Sequence, residues 1–372
     1  MKVYFDNAAT TPIDPIVAEL MCDLITNKFG NPSSIHSFGR ETRALIERSR
    51  KKIAGFLNVS PSEIYFTAGG TEADNMALKC SVRDLGVTRI ITSPIEHHAV
   101  LFAAEQCRDH ENIQLDLVKI KPDGYVDMED LEKLLAASDK KTLVSLMHAN
   151  NEIGNMIDLH EVGEMCAKYN AYFHSDTVQT MAHYVFDLQS INLHFATCSA
   201  HKFHGPKGVG FLYINNKVEI NPLIVGGAQE RNMRAGTENV YGICALAKAM
   251  EIAHENMESH QNKVQELKSY MIDKLESLFP GIEFNGDPKG RSLYTVLNVN
   301  LPDSEINEML LYNLDIEGVA ASGGSACSSG SNVGSHVLNS LGKNTLGPAI
   351  RFSFSRFNKR EEVDHVMNVL KE

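Results

Sequence analysis

Lys202 stands in the segment SAHKFHGPKG, flanked by His201 and close to His204 within a Gly/Pro loop. That is a poor setting for a solvated surface charge. A lysine that forms a Schiff base needs its neutral amine, which desolvation and neighbouring cations favour. The other reading of the two histidines is a metal pair, for which no third ligand is evident. Asp176, in FHSDTVQ, closes the preceding strand-like segment. A carboxylate beside a pyridine nitrogen keeps it protonated, which an electron-sink cofactor such as pyridoxal requires. Alone, Asp176 reads equally as a helix N-cap before TVQTMAH. Gly69, Gly70 and Thr71 open a helical pattern after EIYFT. Backbone N–H groups at such a start can cradle a phosphate, although glycines before a helix also serve as plain turn chemistry. His97, after RIITS, could stack on a flat cofactor and move protons, or could cap a helix.

Cys327 lies in ASGGSACSSGSNVGSH, among glycines and serines that could not pack around a structural thiol. A thiol there suits a nucleophile that must reach a substrate and then a partner; the alternative is an incidental exposed cysteine. Arg351, in AIRFSFSRF, could hold a carboxylate by two hydrogen bonds, or face water as most strand arginines do.

These residues need a scaffold that gathers them. From Asp14 onward, short apolar strands alternate with helical patterns: EIYFT before TEADNMALKCSV, RIITS before HHAVLFAAEQC, TLVSLMH before DLHEVGEMCAKY, then AYFHSD and HFATCSA. The alternation predicts an α/β fold with a mostly parallel sheet covered on both faces. In such a sheet, ligands bind beyond the carboxyl ends of the strands. Asn150 and Asn151, Gln179 and Ser199 follow strand ends as Asp176 and Lys202 do, so one rim should collect them. Near Tyr241 the rhythm gives way to a long helical run that stops at Pro280-Gly281, and a smaller α+β unit follows. The expected division is 14–245 for the large domain, with 1–13 and 246–372 forming the small one.

Composition narrows the class. With 372 residues, 43% of them hydrophobic, the chain can bury two full cores. No apolar run is long enough for a membrane helix, and no secretory leader is evident, so a soluble cytoplasmic protein is expected. A formal charge of -12 speaks against a surface that wraps nucleic acid. The seven cysteines are odd in number and include no C-x-x-C pair, which fits neither a disulfide framework nor a zinc site.

Taken together and in order, YFDNAATTP, GNPSSIHSFGR, GGTEADN, EHHAV, MHANNEIG, FHSDTVQ, SAHKFHGPKG, GGAQERNMRAGTEN, GGSACSSGS and IRFS resemble the cysteine desulfurases of the NifS/IscS type, which are class V aminotransferase-like. The resemblance runs nearly end to end. It implies a fold type I pyridoxal 5'-phosphate enzyme with a seven-stranded-type sheet. Lys202 would hold the cofactor as a Schiff base, Asp176 would pair with its ring nitrogen and Gln179 with its phenolic oxygen. His97 would stack on the ring and act as acid/base. Gly70, Thr71, Ser199 and His201 would hold the phosphate, with Thr237 reaching in from the other subunit of a homodimer. Asn151 would contact cofactor or substrate, Arg351 would bind the carboxylate of L-cysteine, and Cys327 would carry the sulfur as a persulfide. The partner would be a sulfur acceptor, such as an iron–sulfur scaffold or a tRNA-thiolating enzyme. Two departures stand out: Ala68 replaces a frequent Ser, and the chain stops at KREEVDHVMNVLKE, short of the tail by which close relatives dock a scaffold. Rival readings are another class V aminotransferase or lyase, including a selenocysteine lyase, and a non-catalytic sulfur-relay protein.

Overall fold

The computed structural model describes residues 1–302, 309–323, 334–342 and 349–371. Cys327, the expected nucleophile, lies outside the described residues. Seven strands form one sheet in the spatial order Ile64–Thr67, Gly210–Ile214, Phe195–Ser199, Tyr172–Asp176, Thr142–Ser145, Arg89–Thr92 and Gln114–Leu117. Gly210–Ile214 alone runs opposite to the others. The mostly parallel sheet expected from the alternation is therefore present. Its central strands read as continuous apolar runs because helices bury both faces: Ile90, Ile91, Leu143, Val144, Phe173, Ala196 and Phe211 are all fully covered.

Local signals set where the covering helices begin. Asp14 accepts a hydrogen bond from the N–H of Ile16 with Pro15 at the first helical position, and Asp127 and Asp158 cap Met128–Ala136 and Leu159–Lys168 the same way. Ser37–Phe56 turns Thr42, Ile46, Ser49, Arg50 and Ile53 inward, a helical stripe that packs on Val240–Glu255. The buried side chains of Val240–Glu255, through Ala253, join the core under the large sheet.

A second core lies under a three-stranded antiparallel sheet, ordered Ala349–Ser353, Val296–Asn300 and Glu283–Phe284, against the helices Met257–Leu278 and Arg360–Val369. The amino-terminal segment touches both parts. Val3–Tyr4 pairs in parallel with Val319–Ala320, and Phe5 packs edge-on against Phe352 and Phe354. A few residues later, the N–H groups of Thr11 and Asp14 donate to the carbonyls of His201 and His204. No helix among the described residues is long and apolar enough to cross a membrane.

Candidate active site

Beyond the carboxyl ends of the parallel strands lies a cavity of about 380 Å³. Ten residues singled out from the sequence line it: Gly70, Thr71, His97, Asn151, Asp176, Gln179, Ser199, His201, Lys202 and Arg351. Thr237 does not. It is exposed and borders a separate hollow beside Ala68 and Arg234.

At one end, the helix Gly70–Leu85 starts with no side-chain cap, so the N–H groups of its first turn stay open to a ligand. Gly69 has φ +151, and a Cβ on Gly70 would come within 2.8 Å of Val178 Cγ2. A side chain at residue 70 would have to displace Val178, which explains why glycine stands there. The Ser199 side chain faces the same two glycines.

Lys202 projects from the turn after Phe195–Ser199, and its Nζ donates to the carbonyls of Ala8 (2.6 Å) and Ala9 (2.9 Å). Gln179 Nε2 donates to the Ala8 carbonyl as well, at 3.0 Å. The amino-terminal segment thus forms a wall of acceptors facing both side chains. His201, whose Nδ1 lies 3.2 Å from Thr10 Oγ1, is held neutral: burial, then Lys202 and Lys207, push it down to about 4.

Asp176 ends its strand at the cavity floor, fully buried. Burial, and then the charge of Asp74, push its carboxyl up to about 7. Its Oδ1 accepts the N–H of Val178, closing a tight turn rather than capping a helix. His97 performs the capping expected of it as an alternative: Nδ1 accepts from the N–H of Ala99 at 3.1 Å. Burial and then Lys202 push the ring down to about 4. With Nδ1 committed as an acceptor, the neutral ring carries its proton on Nε2.

Arg351 is almost completely buried. Nη2 pairs with Asp6 Oδ1 at 2.7 Å and Nη1 donates to the carbonyl of Asn151, while Nε has no hydrogen-bond partner among the described residues. Its guanidinium therefore faces inward and is already anchored, unlike a strand arginine facing water.

The structure adds residues that the sequence reading passed over. Asp74, Glu152 and His336 also line the cavity, and Glu96 lies fully buried just before His97. Asp74 had a legible signal. It sits on the buried stripe of Ala73, Ala77, Leu78 and Ser81, where a carboxylate has no bland reason to be.

An uncapped helix start, a lysine, a buried aspartate and an anchored arginine around one cavity define an α/β enzyme built for a phosphorylated, nitrogen-containing cofactor. The profile of the family described as "Aminotransferase class-V" matches residues 3–366, and the chain belongs to that family. A protein of Clostridium botulinum named cysteine desulfurase IscS is 42% identical over 374 residues, covering 99% of this chain and 93% of its own. A Bacillus subtilis protein named putative cysteine desulfurase IscS 1 is 40% identical, covering 100% and 99%. Among solved structures, a NifS-like protein superposes with a TM-score of 0.91 at 38% identity, covering 100% of this chain and 98% of its own. Another, titled SspA in complex with cysteine, gives 0.82 at 28% identity over 96% of this chain and 100% of its own.

The cofactor of this family is pyridoxal 5'-phosphate. The cavity fits it. The Gly69–Gly70 cradle would take the phosphate, Lys202 would hold the aldehyde carbon, and Asp176 would face the ring nitrogen.

Proposed function

We propose that this chain is a cysteine desulfurase, which removes the sulfur of L-cysteine, leaves L-alanine, and carries the sulfur as a persulfide on Cys327. The observation that carries this reading is the convergence of Lys202, Asp176, His97, the Gly70 cradle and Arg351 on one cavity, in a chain 42% identical over nearly its whole length to a protein named cysteine desulfurase IscS. When bound, the cofactor supplies an electron sink conjugated to the substrate's α-carbon.

The chain's own residues do the rest. Lys202 would hold the cofactor's aldehyde carbon, and its amine would be the group that the substrate's amine replaces there. Arg351, oriented by Asp6 and the Asn151 carbonyl, offers its guanidinium to the substrate carboxylate. Asp176 supplies the negative charge that keeps the ring nitrogen protonated. His97, with Nδ1 taken up by the Ala99 N–H, would present its Nε2 N–H to the reacting centre of a bound cofactor. The Cys327 thiolate attacks the substrate sulfur. A sulfur–sulfur bond forms and the carbon–sulfur bond breaks. The electron pair stays on carbon, which is protonated to give alanine.

The same reading makes the protein a cytoplasmic homodimer that hands sulfur to an acceptor protein of iron–sulfur assembly or tRNA thiolation. Thr237, exposed beside its own chain's Arg234, would complete a partner subunit's phosphate cradle. Phe29, Ile35, Phe38, Ile224 and Val225 offer exposed apolar surface for such a contact. The reading also divides the chain into a cofactor-holding unit and a smaller one. We place the handover at Asn256, between the helices Val240–Glu255 and Met257–Leu278, because side chains up to Ala253 belong to the larger core.

The test is direct. The purified yellow protein is incubated with cysteine, then alanine is quantified and the mass of the Cys327 peptide is read. One alanine per added sulfur is expected. A 2-oxo acid without sulfide would point instead to an aminotransferase, and a colourless, inert protein to a sulfur relay.

A further inference from the structure

Three buried carboxyl groups at and behind the cavity wall lie near enough for their charges to bear on one another. Asp74 comes from the helix Gly70–Leu85, Asp176 from the end of the strand Tyr172–Asp176, and Glu96 from the turn before the helix His98–Glu111. All are buried. Residues 174 and 176 point to the same face of their strand, so His174 accompanies Asp176. Its Nε2 lies 3.4 Å from Asp74 Oδ1 and 3.1 Å from Thr197 Oγ1, and its Nδ1 lies 2.8 Å from Ser145 Oγ.

The polar partners of these carboxyls are unequal. Glu96 Oε1 accepts from the N–H of Met147 and from Ser93 Oγ, while Oε2 has no hydrogen-bond partner among the described residues. Asp74 Oδ1 makes no hydrogen bond among the described residues either, beyond the longer 3.4 Å approach of His174 Nε2. An ionised carboxylate with a bare buried oxygen costs several kcal/mol, whereas a neutral acid in the same place costs far less. Adjacent carboxylates also repel, so ionising one discourages the next. Lys202 is the cation that bears on Asp176. The other ionisable groups around the cluster are His97 and His98 directly after Glu96, His336, whose Nε2 lies 2.8 Å from the Glu96 carbonyl oxygen, and Glu152 and Arg351 along the cavity wall.

We propose that Asp74 and Glu96 are held as neutral acids, so that the negative charge the floor offers to a bound cofactor's ring nitrogen falls on Asp176, which lines the cavity with Lys202 and whose Oδ1 accepts the N–H of Val178. Both act as positioning residues, and His174, kept neutral by burial, lies beside Asp74. The inference rests on reading the cavity as a cofactor pocket, but the protonation itself belongs to the unloaded chain. Burial, opposed by Thr197, pushes Asp74 up to about 7, and burial with the neighbouring charges raises Glu96 well above the carboxylate range. An acid raised in this way stabilises the fold at low pH, and the stabilisation is lost as pH climbs from the unfolded value towards the folded one.

The experiment compares the apoprotein with Asp74→Asn, Glu96→Gln and, as a control, Asp273→Asn at an exposed position. An amide imitates a neutral acid but cannot ionise. The melting temperature of Asp74→Asn relative to the parent should therefore rise between pH 5 and pH 8, by roughly 5 °C, with Glu96→Gln following and the control flat. The infrared band of protonated carboxyl groups in the apoprotein at pH 6 should shrink in both variants. In the loaded protein, the pH midpoint of the cofactor's visible absorbance should move by less than about half a unit in Asp74→Asn, whereas removing an ionised neighbour would lower it by about one unit or more.

A melting difference that stays flat or falls with pH, or an unchanged infrared band, overturns the proposal. So does failure of both amide variants to fold, since an amide replaces a neutral acid nearly atom for atom. The melting and infrared arms need neither cofactor nor cysteine. They can fail while the desulfurase assay succeeds, and the reverse, so the two readings are judged separately.

Discussion

His97 is asked to do two jobs with one ring. Nδ1 caps the helix His98–Glu111 and Nε2 presents a proton to the cavity. The two can be separated, because Asn is also a good N-cap but has no imidazole. His97→Ala should cost about 1 kcal/mol of stability and His97→Asn only a few tenths, while both lose roughly 100-fold or more in desulfurase turnover. Urea melts and alanine production measured side by side check this; equal activity in the Asn variant would remove the ring from the chemistry. Lys202 makes a simpler prediction. Lys202→Ala should bind the cofactor without the visible absorbance of the covalent link, and an unchanged spectrum would end its assignment. Cys327→Ala should keep that absorbance and lose both alanine and sulfide; full turnover would show that another group takes the sulfur.

The elements around the cavity are held together by polar contacts as well as apolar ones. Arg50, buried on the helix Ser37–Phe56, is bidentate to Glu230 (2.7 and 2.9 Å), donates to the Ile64 carbonyl and lies 4.6 Å over the Phe66 ring. Glu230 in turn accepts the N–H of Phe66. This ties a helix, an edge strand and the loop that carries Arg234 and Thr237. In that loop Glu230, Arg231 and Asn232 all have positive φ, a conformation that other contacts must impose. Arg50→Met leaves Glu230 as a buried unpaired charge and should cost about 3 kcal/mol or more. Adding Glu230→Gln should restore part of it. Denaturant unfolding decides the matter, and a single variant within about 1 kcal/mol of the parent would mean that water reaches the pair.

Across the whole molecule, burial sets the pH response. His97, His148, His174, His183, His194, His201 and His260 are pushed down to about 4 and His204 to about 3, in each case chiefly by burial. A depressed histidine stabilises the fold above its unfolded value, near 6.5, and that contribution drains away as pH falls towards 4. The raised acids Asp74, Glu96 and Asp176 act in the opposite sense over much of the same range. The histidines outnumber them, so the melting temperature should drop between pH 6.5 and pH 5. A rise over that interval, seen by calorimetry, would show that the acids dominate.

The sequence by itself determined what local chemistry can encode. The apolar runs EIYFT, RIITS, TLVSLMH, AYFHSD and HFATCSA are strands because they alternate with amphipathic helices and end in polar residues, and the rim of those polar residues is the cavity. Two strands of the seven-stranded sheet escaped that reading. Gln114–Leu117 is an edge strand with half-exposed side chains and no continuous apolar run, and Gly210–Ile214 inserts against the direction of its neighbours, so neither follows the strand–helix rhythm. Only the tertiary structure could show that Ala8 and Ala9 offer their carbonyls to Lys202, that Asp6 anchors Arg351 from the far end of the chain, and that the buried Asp74, Glu96 and Asp176 bear on one another's charge. The reason is physical. Strand and helix periods are written in neighbouring residues, whereas protonation and ion pairing depend on which distant groups meet out of reach of water.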